Sequence, residues 1–189
     1  DLADTTSADN GGTIIVASDG GRWKRVDQNP FSLNSKHWGA YGDGTTDDYA
    51  YLAAYIAWVK TLTTVPTVYR RPINLAAGMY HVSQPLNLTN TNGICIMGPG
   101  GTYINAGIFG YTAGAILDFS GSSLSGFENL FLQSQAAWVN KSTIGALFAL
   151  TSNGGIGCYA KNFYIDMEDM AGENGGLGSV GVMNIRAEE

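Results

Sequence analysis

Positive charge is scarce in this chain. Only 10 of the 189 residues are Lys or Arg, against 16 Asp or Glu, so the formal net charge is −6. No basic run is longer than Arg70-Arg71. Proteins hold phosphate backbones with clustered Lys and Arg, so this composition argues against a nucleic-acid partner. A neutral or glycan partner is more compatible with it.

Cysteine, histidine and long apolar runs are also rare. The two cysteines, Cys95 and Cys158, form no Cys-x-x-Cys motif and no Cys/His cluster, so neither a structural metal site nor a cofactor is predicted. Whether these cysteines pair stays open. The two histidines, His37 and His81, are the available imidazole bases. No run of about 18 apolar residues occurs, so no membrane insertion is expected.

Glycine, in contrast, is abundant. The chain has 26 glycines, and charged residues make up only 14% of it. Such a composition indicates turn-rich β structure. Residues 1–12 are polar, and we expect them to be poorly ordered. Residues 13–17 and 22–26 are short β patterns around a Ser-Asp-Gly-Gly turn, which predicts a β-hairpin.

A compact turn motif comes next in the chain. It reads Gly42-Asp43-Gly44-Thr45-Thr46-Asp47-Asp48. The glycines permit a tight turn, Thr45 or Thr46 can cap a following helix, and the last two aspartates place negative charge at its positive end. The aspartates could also suggest a metal site or a catalytic pair, but the turn explains them without chemistry. We therefore assign a structural role to Gly42, Asp43, Gly44, Asp47 and Asp48.

The residues after this motif have a helical period. Apolar side chains at i, i+3, i+4 and i+7 are Leu52, Tyr55, Ile56 and Val59. This pattern predicts an amphipathic helix over residues 49–61 with one face to bury. Pro66 prevents further extension.

An internal repeat follows the helix. Residues 114–119 are echoed by 145–150 and by 181–186, and residues 128–132 are echoed by 161–165. The repeats recur with a period of roughly 33 residues, which indicates a solenoid. Each unit has only two or three short strands and no helix, so the prediction is an all-β parallel β-helix. Asn129 and Asn162 either stack as a ladder of amides or are ordinary sheet residues.

The ends of such a solenoid need covers because open sheet edges aggregate. We expect the 49–61 helix to cap the first coil, while the chain stops directly after a strand, as a fragment of a longer β-helix would. The predicted segments are 1–36 as a connector with a short hairpin, 37–66 as the turn and capping helix, and 67–189 as the first coils.

Several of these segments resemble one superfamily. Residues 38–48, followed by an Ala-rich helix, resemble the opening motif of pectate-lyase-like right-handed parallel β-helix proteins. Residues 73–82 and 94–100 are similar to the next two elements, although Ala77 stands where Pro-Ala is commoner. Residues 12–26 resemble the segment that precedes this motif in many bacteriophage tailspikes.

The resemblance implies a homotrimer in the virion tail that contacts other tail or baseplate proteins and binds bacterial surface polysaccharide. Whole proteins of this type often degrade that polysaccharide, while this chain alone is not expected to be catalytic. Two alternatives remain open. One is a secreted polysaccharide lyase or glycoside hydrolase that acts as a free enzyme, and the other is a non-catalytic adhesin or structural fibre.

Four residues are candidates for contact with a glycan. Hydrolysis of a polysaccharide uses two carboxyl groups, and the candidates are Asp166, Glu168 and Asp169. If the strand continues through them, Asp166 and Glu168 project to the same side. The alternative is a solvated acidic loop. Trp138, in a loop rich in Gly, Ser and Gln, is the candidate for a glycan or subunit contact.

Overall fold

The computed structural model describes residues 4–62, 71–101, 104–110, 116–134, 148–149 and 159–166. The first elements are strands β1 (Ile14–Val16) and β2 (Arg22–Lys24), a 3-10 helix (Ser35–Trp38), β3 (Asp43–Asp47) and helix α1 (Tyr49–Thr61). The later strands are β4 (Arg71–Asn74), β5 (Gly78–His81), β6 (Leu86–Asn87), β7 (Ile94–Met97), β8 (Ala106–Gly110), β9 (Leu117–Asp118), β10 (Gly126–Ser134), β11 (Phe148–Ala149) and β12 (Tyr159–Asp166).

Beyond β1 and β2, the strands of the described residues pair in parallel and form three ladders. Ladder A joins β4, β7 and the first half of β10. Ladder B joins β3, β5, β8 and the second half of β10. Ladder C joins β6, β9 and β11. Strand β12 pairs with β10 along both halves. Strands that recur in this order on three stacked ladders make up a parallel β-helix, so the predicted fold is confirmed.

The stacking register agrees with the sequence repeat. Leu117 pairs with Phe148, and these residues occupy equivalent positions in two of the echoed segments. Glu128 pairs with Lys161, and these are the first residues of the other two. The third echo, residues 181–186, lies outside the described residues. Where it can be followed, each repeat in the sequence is therefore one coil of the solenoid.

Two asparagines mark the corner where β10 and β12 bend from ladder A to ladder B. Asn129 and Asn162 have φ angles of 55° and 46°, in the left-handed region that Asn tolerates better than most residues. The Asn162 Nδ2 donates to the Asn129 Oδ1 at 2.7 Å. The two residues therefore form the amide ladder, which decides between the two interpretations of this pair.

The interior of the solenoid is filled by stacked apolar side chains. Tyr80, Ile108 and Leu132 share one register position on ladder B and are fully buried. Each such side chain contributes about 1.5–3 kcal/mol by its removal from water.

Helix α1 closes the first coil. It packs against the 3-10 helix, β4 and β6, and all four side chains of its predicted apolar face are buried. Tyr55 stacks on Trp38 with ring centroids 3.9 Å apart. No helix within the described ranges is long and apolar enough to cross a membrane.

The start of the helix differs from the prediction. The residue before its first turn is Asp48, not Thr45 or Thr46. The two threonines belong to β3, which pairs with β5. Strand β5, the partner of β3, comes after the helix in the sequence, so a local sequence pattern cannot reveal the pairing.

The expectation of a poorly ordered N-terminus is wrong for residues 4–12. The predicted hairpin is present as β1 and β2, paired antiparallel. The Asp9 Oδ2 accepts from the Val16 N at 2.9 Å, and the Asn10 Oδ1 accepts from the Ile14 N at 2.9 Å. These two side chains cover the outer edge of β1, which would otherwise offer its amides to another strand.

Candidate functional site

The Gly-Asp-Gly motif connects the cap to the first coil. The Asp48 carboxylate is buried, and it accepts from the Tyr41 N at 2.6 Å and from the Gly42 N at 2.9 Å. Burial raises the pKa of Asp48 above its usual value, although these two donors favour the charged form. Gly42 has a φ of 56°, and a Cβ on Gly78 would lie 2.5 Å from the Gly42 carbonyl oxygen. The Asp48 carboxylate therefore fixes the backbone at Tyr41 and Gly42, where the chain passes very close to the backbone at Gly78.

The other two aspartates of the motif are exposed. Asp43 accepts from the amides of Thr45 and Thr46, and these hydrogen bonds hold its pKa below the usual value. The Asp47 Oδ2 accepts from the Ser83 hydroxyl at 2.6 Å, and its Oδ1 accepts from the Ser83 N at 3.1 Å. Asp47 therefore lies at the surface with one side already hydrogen-bonded.

The exposed side of ladder B brings Asp47 next to other polar and aromatic residues. Side chains alternate along a strand, so the residues beside the buried Tyr80, Ile108 and Leu132 point to the opposite face. The neighbours that follow them share one register position across the sheet. This outer row consists of the exposed Asp47, the half-buried His81 and Gln133, and Phe109, which is only 5% exposed.

His81 is the centre of the outer row. Its ring lies 5.3 Å from the Phe109 ring, and it is half-buried. The His81 Nδ1 is buried and has no hydrogen-bond partner among the described residues. The other histidine is used structurally, because the His37 Nδ1 accepts from the Asn34 N at 2.9 Å to cap the 3-10 helix.

A second row lies beside the first on the same face. It consists of Asp43, Met79, Gly107 and Phe131, in register across four strands. A Cβ on Gly107 would lie 2.6 Å from the Met79 Sδ and 3.0 Å from the Phe131 Cδ1. Met79 and Phe131 therefore meet over this glycine, and the two rows form an apolar strip with carboxylates at one end.

The predicted catalytic residues are only partly within the described structure. Asp166 is the last residue of β12 and pairs with Gln133, so its register position continues the outer row. Glu168, Asp169 and Trp138 lie outside the described residues, and their roles stay predictions. Within the described ranges, no three His, Cys, Asp or Glu side chains converge as a metal site would require.

Sequence reasoning missed the outer row because its members are far apart in the chain. His81 and Phe109 belong to different coils and meet only through the pairing of β5 with β8. The available signal was the alternation in residues 78–82, which places His81 on the face opposite Tyr80.

The N-terminal hairpin has an exposed apolar pair. Ile15 and Trp23 are directly opposed in register, and Trp23 is 72% exposed. The opposite side of the hairpin is held by residues 4–10, through the Lys24–Asp4 salt bridge and the Arg22 side chain on the Ser7 carbonyl oxygen. The Trp23 side is therefore the face that remains open.

An apolar groove of about 600 Å³ runs along the outward side of α1. Residues 9–11 form one wall, and Ala50, Ala54 and Ala57 line the other. The Asp9 carboxylate at its rim already accepts from backbone amides of the hairpin segment. The groove therefore presents little beyond apolar contact.

Comparisons with known proteins agree with this architecture. Residues 1–28 match the family described as phage tail protein small four-stranded beta-sheet domain. No curated protein matches the chain. Among solved structures, the Acinetobacter baumannii phage AM24 tailspike protein has 21% identity and a TM-score of 0.57, over 87% of this chain and 26% of that one.

Two enzymes have a similar fold. Pantoea stewartii WceF, a glycan biofilm modifying enzyme with a bacteriophage tailspike-like parallel β-helix, has 18% identity and a TM-score of 0.60 over 84% of this chain and 23% of that one. The A-module of the Azotobacter vinelandii mannuronan C-5 epimerase AlgE4 has 19% identity and a TM-score of 0.50 over 70% and 37%.

These similarities define the fold of the chain. The chain has a tailspike-like parallel β-helix, preceded by a segment that matches a phage tail domain. It spans 23% to 37% of the length of the three solved proteins.

Proposed function

We propose that the chain is the N-terminal β-helix portion of a phage tail protein that recognises bacterial surface polysaccharide, and that the complete protein degrades it. One observation carries the proposal: a phage tail domain segment and a tailspike-like β-helix occur in this order in one chain. The rival functions, a free enzyme and a structural fibre, do not require the tail segment.

Each of the three predicted segments has its own role in this proposal. Residues 1–36 connect the protein to other tail or baseplate components in the virion, and the open Ile15–Trp23 face is the available contact. Residues 37–66 seal the first coil, and residues 67–189 begin the solenoid that presents the glycan-binding surface. Three copies of the chain associate as a homotrimer.

The outer row supports glycan recognition. Sugars offer C–H faces that pack on aromatic or apolar surfaces, and hydroxyls that bond to carboxylates, amides and imidazoles. Asp47 and His81 supply polar groups, and the half-buried Met79 and Phe131 side chains supply adjacent apolar surface. Neighbouring coils stack about 4.8 Å apart, so the row is a regular track for an extended chain.

Adsorption to bacteria tests the proposal. A fluorescently labelled chain should be retained by cells of a susceptible strain and lost after periodate oxidation of the surface glycans. Protease treatment of the cells is the control, and it should leave binding intact. The reverse pattern would contradict glycan recognition. Light scattering should give a particle of three times the 20.0 kDa chain mass, and a monomer would contradict a trimer formed by this part of the protein.

A second candidate is a secreted glycan-modifying enzyme, because WceF combines that activity with the same fold. The two functions differ in the N-terminal segment. A tail protein needs the Trp23 face for assembly, whereas a free enzyme does not. Retention of full glycan binding and failure of tail attachment in a Trp23→Ser variant would favour the tail protein.

A further inference from the structure

The coils of this protein carry little positive charge. From residue 67 to the end, the sequence contains five Lys or Arg residues and eight Asp or Glu residues. The five cations are Arg70, Arg71, Lys141, Lys161 and Arg186. Residues 67–189 are the segment from which a glycan-binding surface in this chain is built, so acidic residues outnumber basic ones in that segment.

The exposed face of ladder B is also negatively charged. Its two rows contain the carboxylates of Asp43 and Asp47 and neither Lys nor Arg. Burial alone would raise the pKa of Asp47, but its hydrogen bonds outweigh that effect, and hydrogen bonds also lower the pKa of Asp43, so both carboxylates are charged at neutral pH. His81 is the one basic side chain in the rows. An incoming carboxylate or phosphate group meets like charge and has no guanidinium or ammonium group to bind there.

The chemistry of the strip suits uncharged sugar rings. The half-buried Met79 and Phe131 side chains offer apolar surface, while Asp47 and His81 offer an acceptor and an imidazole at its border. A carboxylate binds sugar hydroxyls well because it accepts charge-assisted hydrogen bonds. A uronic acid would turn the same carboxylate into a repulsive contact.

We infer that the exposed face of ladder B, formed by the Asp47–His81–Phe109–Gln133 row and the Asp43–Met79–Gly107–Phe131 row, binds neutral polysaccharide and discriminates against polysaccharides rich in carboxylate or phosphate. The inference rests on the proposed glycan recognition and adds the class of glycan. The inference applies to the part of the glycan-binding surface that the residues of this chain form.

Matched polymers test the class. Dextran and carboxymethyl dextran share a backbone and differ in charge, as do hydroxyethyl cellulose and carboxymethyl cellulose. Each is coupled to beads, and the depletion of labelled chain from solution gives the affinity. At about 20 mM salt we expect at least one neutral polymer to be bound roughly tenfold more tightly than its carboxymethylated partner, and the ratio to shrink at about 500 mM salt because the repulsion is screened.

Variants assign the discrimination to this face. Asp47→Asn should reduce the neutral-to-anionic ratio severalfold, while Asp19→Asn, which makes the same charge change in the distant hairpin turn, should leave it unchanged. Gly107→Ala adds a methyl group against Met79 and Phe131 without a change of charge. It should weaken binding of the neutral polymer, and circular dichroism checks that the variant is folded.

The outcomes separate the two proposals. Equal or tighter binding of the carboxymethylated polymers at low salt overturns the inference and leaves glycan recognition standing. A neutral preference that Asp47→Asn and Asp19→Asn alter equally also overturns it, because net charge would then be the cause. Binding of none of these polymers, with intact adsorption to cells, overturns the inference alone. If the chain binds none of the polymers and also does not adsorb to cells, the proposed function is overturned as well.

Discussion

Replacement of Asp48 by Asn is the sharpest test of how the Gly-Asp-Gly motif holds the cap. The two oxygens of the carboxylate accept from two different backbone amides, at 2.6 Å from the Tyr41 N and 2.9 Å from the Gly42 N. An asparagine keeps one oxygen and points an NH2 group at the other amide. One buried N–H then faces another donor.

The magnitude follows from the burial of this residue. A buried donor left without a partner costs about 1–3 kcal/mol, and a hydrogen bond to a charged group is worth about 1.5–3 kcal/mol. The loss is partly offset, because Asn removes a charge that burial disfavours, as the raised pKa of Asp48 indicates. We expect Asp48→Asn to lower the free energy of unfolding by about 1–3 kcal/mol, or Tm by roughly 2–12 °C.

The neighbouring residue provides a matched control. Asp47 has the same chemistry and also accepts from backbone amides, but it is exposed, so water can replace its lost bonds. Asp47→Asn should cost less than about 1 kcal/mol. Urea unfolding followed by tryptophan fluorescence measures both, because Trp38 and Trp58 lie in the cap. Equal costs for the two variants would refute the argument that burial makes Asp48 important.

Three further predictions follow from the backbone and from titration. Gly110→Ala should cost about 3 kcal/mol or more, because its Cβ would lie 1.9 Å from the Val82 carbonyl oxygen, whereas Gly100→Ala meets nothing within 4 Å and should be neutral in thermal unfolding. Asn129→Ala should be about 1 kcal/mol less stable than Asn129→Gly, because both variants lose the side-chain hydrogen bond to Asn162 but only Ala strains the φ of 55°. Equal stabilities by urea unfolding would contradict this. The pKa of Asp43 is lowered in the folded state, so its contribution to stability is present above about pH 4 and lost as the pH falls further. Asp43→Asn should therefore flatten the fall in Tm between about pH 4 and pH 2, and an unchanged slope would rule out this contribution.

Much of the fold could be predicted because its signals are local or repeated. The helix pattern at Leu52, Tyr55, Ile56 and Val59 reports a single buried face, and that face is the one the structure buries. Equivalent residues of the sequence repeats pair with each other in the structure, because equivalent strands of successive coils must stack without slipping.

The rest depends on contacts that no short pattern encodes. Residues 4–12 look disordered by composition, yet Asp9 and Asn10 find amide partners on β1. The outer row required knowledge of which residue of β5 faces which residue of β8, and these strands belong to different coils. Composition and periodicity describe the strands one by one, while the candidate site exists only between them.

Coil length varies in this solenoid while the stacking of the strands does not. Arg71 pairs with Ile94 across a short stretch of chain, and Glu128 pairs with Lys161 across a longer one. The strands stay in register across both separations, and a longer flexible loop costs only about 0.6 kcal/mol for each doubling of its length. The architecture can therefore acquire new surface loops by insertion without repacking its interior, so its outer surface can change while its core is kept.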